Sequence, residues 1–207
     1  MYLSRREFVQ YAAITGLAAP LSAGGLAAET LPAGRTSAKT FAPLPPFELE
    51  EIGVRQLQDG LKSGKYTSRR LVSAYLTRIQ QVDAQGPTLR SVIETNPDAL
   101  ALADAADAER KSGKVRGPLH GIPVLIKDNI ATGDKMKTTA GSLALADAPA
   151  PRDSAVAQRL RDAGAIIIGK TNLSEWANFR STHSVSGWSG RGGLVKNPYA
   201  LDRNACG

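Results

Sequence analysis

The stretch Gly117–Asn129, GPLHGIPVLIKDN, constrains this chain more than any other. Ile122–Ile126 is a short, nearly continuous apolar run rich in branched side chains, the pattern of a strand buried on both faces. Gly121 and Pro123 stand at its mouth, where a turn or a strand start tolerates them. Lys127, Asp128 and Asn129 follow the run directly. Open α/β sheets place their chemistry at the C-terminal edges of such strands. A lysine there can be partly desolvated, its amine shifted toward neutrality and able to move protons. A solvated strand-end lysine without chemistry is the competing reading, and position alone leaves both open.

The elements around this run predict an α/β fold. Thr67 and Ser68 precede a helical face of Leu71, Val72, Tyr75, Leu76, Ile79 and Val82, and either hydroxyl can cap its first turn. Gly86-Pro87 breaks that helix, and Ser91–Glu94 reads as a short strand. Asn96-Pro97 starts a second helix, which Gly113 ends. Thr132–Ser142 is a polar loop, and Asp153 is placed to cap a helix through Val156, Leu160 and Ala163 that closes at Gly164. Ala165–Ile168 is a second buried strand, so a strand–helix–strand crossover implies a largely parallel sheet. Gly169–Asn172 is expected to leave that strand as Lys127–Asn129 leaves the first, both facing one crevice. Leu173–Phe179 reads as a short amphipathic helix, and 180–207 as loop.

Ahead of the folded part, Ser4-Arg5-Arg6-Glu7-Phe8-Val9 leads into an acid-free, alanine- and glycine-rich stretch, Tyr11–Ala28. A charged start followed by a weakly apolar run is the pattern of an exported precursor. The paired arginines resemble a twin-arginine signal, which a receptor reads and which is not an anchor. Residues 1–28 are therefore expected to be a signal peptide that engages the twin-arginine export machinery, with the mature bacterial protein periplasmic or secreted. Gly16, Pro20 and Gly24-Gly25 make the run too weak for a stable membrane anchor. Residues 29–46, rich in Gly, Ser, Thr and Pro, read as a flexible linker, with folding beginning near Phe47.

Composition removes several classes of function. The net charge of +7 is not gathered into a patch or stripe, which argues against a nucleic-acid partner. One cysteine, Cys206, rules out an internal disulfide framework or a cysteine-built metal site. His120 and His183 match no metal-ligand spacing, so a histidine-based metal centre is not expected. Cys206 has no base near it in sequence, and His183 beside Ser184 lacks a third group to orient the ring. Gly164–Thr171 lacks the glycine spacing of a phosphate-binding loop.

Four motifs carry a specific resemblance. GPLHGIPVLIKDN at 117–129, TTAGS at 138–142, DSAVAQRLRDAGAIIIGKTNLSEW at 153–176 and NPYALDRNACG at 197–207 have the order and spacing of the amidase signature family, which the chain from Phe47 to Gly207 resembles. ERKSGKVRGPLHGIP, KTNLSEWANFRS and SGWSGRGG look most like its bacterial peptide-amidase branch. The resemblance implies an α/β domain with a mixed, largely parallel sheet flanked by helices, of which 47–207 is the N-terminal, incomplete part. It also implies hydrolysis of a carboxylic or C-terminal peptide amide to acid and ammonia by a Ser-cisSer-Lys mechanism, without cofactor.

In that mechanism Lys127 matches the family's lysine, while both serines fall beyond Gly207. Asp128 and Asn129 either position Lys127 or serve only their loop. Thr139, Gly141 and Ser142 either line the site and touch the serine relay or only satisfy loop amides. The substrate is a small-molecule or peptide amide. A broad aliphatic or aryl amidase, and a non-catalytic binding or assembly scaffold, are the alternatives. The family branch that releases ammonia for transfer-RNA amidation is disfavoured by the export signal.

Overall fold

Three strands form the central sheet: β1 (Val92–Thr95), β2 (Pro123–Lys127) and β3 (Ile166–Thr171), in the spatial order β1-β3-β2. The computed structural model describes residues 44–179, 182–183 and 185–205. The expected signal peptide, the linker up to residue 43, Ser184 and Cys206 lie outside the described residues. Among the described residues the α-helices are α1 (Val54–Ser63), α2 (Ser68–Arg78), α3 (Ala99–Lys111) and α4 (Ala155–Asp162).

The alternation along β3 builds the layers. Ile166 and Ile168 pack with Val72 of α2 and with Ala99, Ala103 and Ala106 of α3. Ile167 turns to the other face, against Ile126, Met136 and Ala157 of α4. All three isoleucines are buried, so the strand buried on both faces is β3. Truncating one such isoleucine to alanine would cost about 2–5 kcal/mol. β2 is an outer strand, and Leu125 on its second face is exposed, which corrects the expectation for Ile122–Ile126. A separate cluster joins Leu57 and Leu61 of α1 to Leu49, Tyr66, Leu71 and Ile122.

β2 runs parallel to β3, and β1 runs antiparallel to it, so the fold is mixed α/β. The antiparallel partner explains a second correction. Gly169, Lys170 and Thr171 do not leave the strand as a loop; they pair with Thr95, Glu94 and Val92. Gly169 suits that close approach, since a Cβ there would lie 2.5 Å from the Glu94 carbonyl oxygen.

The helix ends follow local chemistry. Thr67 caps α2, its hydroxyl accepting from Arg70 N–H at 3.1 Å. α2 continues into a π-helical turn, Ile79–Gln85, whose buried Asp83 accepts from the N–H groups of Ser91 and Val92 and so seats the start of β1. Asn96 and Pro97 form a turn ahead of α3; the Asn96 side chain donates to Ile167 O and accepts from Asp98 N–H. Ser154, not Asp153, caps α4. Asp153 accepts from Gly133 N–H and pairs with Arg161 instead.

Beyond β3 the chain is more ordered than expected. Leu173–Phe179 is not an amphipathic helix but holds a 3-10 turn, Glu175–Asn178, with Trp176, Ala177 and Asn178 at φ 48°, 54° and 61°. Two hairpins follow, β4 (Trp188–Ser189) with β5 (Gly193–Leu194) and β6 (Lys196–Asn197) with β7 (Ala200–Asn204). Strands this short, set among glycines, present no period to read. No helix among the described residues is long and apolar enough to cross a membrane.

Candidate active site

Lys127 is the last residue of β2 and lies in register with Thr171, the last residue of β3. Its side chain is exposed, so the expected partial desolvation is not found there. The reason is position: Lys127 ends an outer strand, whereas Lys170 sits on the central one. Lys170 is fully buried. Its Nζ donates to the Ile130 carbonyl at 2.6 Å and to Thr138 Oγ1 at 3.0 Å, fastening the loop after β2 to the sheet. Burial lowers its pKa from the ordinary lysine value, against the opposing pull of Asp128, Asp134 and Glu94.

Asp128 is the hub of the site. It is fully buried, and each of its polar groups is engaged. Its N–H donates to Thr171 O at 3.1 Å, continuing the ladder past Lys127, and its carbonyl accepts from the N–H groups of Thr139 and Ala140. Carboxylate oxygen Oδ2 accepts from Thr139 Oγ1 at 2.5 Å and from Gly141 N–H at 3.1 Å. Oδ1 faces Arg191 Nη1 at 3.3 Å, and Arg191 Nη2 pairs with Glu94 of β1.

The TTAGS loop therefore wraps around Asp128. Its tight path places Ala140 and Gly141 at φ 49° and 80°. Gly141 is required twice over, since a Cβ there would meet Ser189 Cβ at 2.5 Å. Ser142 is buried, and its Oγ accepts from Ala144 N–H at 3.3 Å to cap the short 3-10 turn Leu143–Leu145. Asn129 points to a neighbouring cleft of about 290 Å³, shared with Thr138, Ala140, Leu145, Leu173, Trp176 and Ala177.

The amidase family description matches residues 70–207. The chain belongs to the amidase signature family. The native peptide amidase of Stenotrophomonas maltophilia is 54% identical, with a TM-score of 0.75, over 78% of this chain and 33% of that one. An amidase family protein of Bacillus anthracis is 41% identical, with a TM-score of 0.73, over 77% of this chain and 32% of that one. A protein of Arabidopsis thaliana named "Probable amidase" is 47% identical over 163 residues, 78% of this chain and 31% of its own length. The chain thus spans about a third of the length of these relatives.

In this amidase-family chain the structure brings Asp128, Thr139 and Gly141 into direct contact. Lys127 and Asn129 flank that cluster in sequence, and Ser142 adjoins it through Ser142 N–H donating to Thr139 O. Two residues escaped the sequence reading, Arg191 and Glu94. Arg191 lies inside SGWSGRGG, where a lone arginine among glycines is the available signal; Glu94 on a strand carries none. No group of three or more potential metal ligands occurs among the described residues.

Proposed function

We propose that this chain forms the lysine-bearing part of an amide hydrolase that converts a carboxylic or C-terminal peptide amide to acid and ammonia. The observation that carries the reading is the placement of Lys127. It projects from the end of β2 into solvent, on a backbone pinned on its far side by the buried Asp128. A serine hydroxyl is too weakly acidic to attack an amide unaided and needs a base in hydrogen-bond reach. As the base of the relay, Lys127 takes a proton from a bridging serine hydroxyl, which takes the proton of the attacking serine. The serine oxygen bonds to the amide carbon, the C–N bond breaks, and the proton returns through the same relay to the departing ammonia. Water then releases the acid. In this proposal both serines lie outside residues 1–207, as the family resemblance implies. The peptide-amide substrate is favoured by the likeness to the Stenotrophomonas enzyme.

Ammonia release from an amidated dipeptide, by a protein carrying this chain at the full length of its relatives, tests the assignment. Lys127→Ala should be nearly silent, and wild-type turnover by a folded Lys127→Ala variant would eliminate it. Aliphatic and aryl amides assayed alongside separate the peptide reading from a broad amidase, since the cleft walls of Leu145, Leu173 and Trp176 suit either. We also propose export through the twin-arginine route, supported by the Ser4–Val9 pattern and the alanine-rich stretch after it.

A further inference from the structure

We propose that Arg191 is a positioning residue for Lys127, acting through Asp128; this rests on the reading of Lys127 as the base. Lys127 is held by its backbone alone, because its own side chain is exposed at the rim. What fixes that backbone is the next residue. Asp128 continues the pairing with β3 through its N–H and gathers the TTAGS loop through its carbonyl and Oδ2. Its remaining oxygen, Oδ1, meets Arg191. Burying a carboxylate with no exposure is costly unless it is paired and hydrogen-bonded.

Arg191 also reaches a second element with the other arm of its guanidinium. Nη2 pairs with Glu94 of β1, and Glu94 Oε2 in turn accepts from Lys137 N–H at 3.1 Å. The arginine backbone adds a third tie, its N–H donating to Gly141 O at 2.9 Å. The planar fork thus braces the outer edge of the sheet and the residue after Lys127, while the Arg191 backbone ties in the loop beside it. Its side chain is 15% exposed, so the pairs are largely shielded from solvent. The turn that presents Arg191 is itself anchored: Gly190 N–H donates to Glu175 Oε2 at 2.7 Å, and Gly192 N–H donates to Ser189 Oγ at 2.9 Å. A lysine at 191 keeps the charge but cannot fork to both carboxylates. The glycine-rich SGWSGRGG segment is accounted for in this way as the mount for one side chain.

The experiment compares Arg191→Met, Arg191→Lys, Asp128→Asn, Asp128→Asn with Arg191→Met, and Lys127→Ala, all in the full-length protein, by ammonia release from an amidated dipeptide. Arg191→Met should lower kcat on the order of 10²-fold, the scale of a catalytic group displaced by about 1 Å, with KM little changed. Arg191→Lys should recover part of that loss, and Arg191→Met should add little once Asp128 is asparagine. Wild-type kcat in Arg191→Met, a rise in KM alone, or additive losses in the double variant would overturn the proposal. If Arg191→Met does not fold, Arg191→Lys decides: a lower kcat at unchanged KM and melting temperature supports the proposal, and an unchanged kcat overturns it. A silent Lys127→Ala beside a fully active Arg191→Met rejects the arginine's role alone. An active Lys127→Ala rejects the base assignment beneath it.

Discussion

Thr139 holds Asp128 twice: its N–H donates to the Asp128 carbonyl at 3.1 Å, and its hydroxyl donates to the Asp128 carboxylate at 2.5 Å. The first bond is available to any residue at 139; the second requires the hydroxyl. Thr139→Val keeps shape and branching, but it leaves Oδ2 of a fully buried carboxylate with Gly141 N–H as its sole donor. We predict a loss of about 1–3 kcal/mol, read as a lower urea midpoint at unchanged denaturant slope in the full-length protein. Thr132→Val is a suitable control. Thr132 is equally buried, but its Oγ1 has no hydrogen-bond partner, so the substitution should cost less. Equal losses at the two sites would reject a special role for the Thr139–Asp128 pair.

The contrast between these threonines shows how far the sequence can be read. Period and punctuation reveal α2, α4 and the two parallel strands, because burial imposes regular spacing on them. The TTAGS loop is recognisable by composition and order, yet nothing in its letters says that Asp128 is what it wraps. That contact joins residues 11 positions apart through a φ-positive turn. α1 is absent from the expected elements although Val54, Leu57 and Leu61 stand at helical spacing among polar neighbours. Lys170 is the instructive miss. Its flanking glycine and threonine resemble a loop, and its pairing on both sides, with Ile126 of β2 and Glu94 of β1, reveals that it is a strand residue with a buried amine.

Replacing Lys127 by arginine separates charge from proton acceptance. A guanidinium stays protonated at any working pH and cannot take the serine proton. Lys127→Arg should therefore lose nearly as much ammonia release as Lys127→Ala, each on the order of 10²-fold or more. Both should melt close to wild type, since the side chain is exposed. Substantial turnover by Lys127→Arg would mean that the site needs only a cation there, and a general base would have to be sought elsewhere.

Export gives a prediction independent of catalysis. If Arg5 and Arg6 are read as a pair, wild-type protein recovered from the periplasm should begin near Glu29, and changing both arginines to lysine should leave the precursor in the cytoplasm. Mass spectrometry of the mature N-terminus and cell fractionation make the measurement. An uncleaved wild-type chain retained inside the cell, or undiminished export of the double variant, is the contrary result.

Lys170 makes the stability of the fold depend on pH in a direction opposite to that of an ordinary ion-paired lysine. Burial depresses its folded-state pKa below the ordinary value of 10.5. Between the depressed value and that of the unfolded chain, the unfolded state holds more protons than the folded one, and stability rises with pH. Below that window the cost of burying the ammonium is fully present; above it, both states are neutral and the cost is gone. Lys170→Met removes the titration while filling a similar volume, at the expense of the donors to Ile130 O and Thr138 Oγ1. We predict that the unfolding free energy of wild type minus that of Lys170→Met, measured by urea titration in the full-length protein, increases as pH is raised toward 10.5 from the neutral side. A difference that falls over the same range would mean that the ammonium is favoured in the fold. Lys170 would then be held by charge and not tolerated in spite of it.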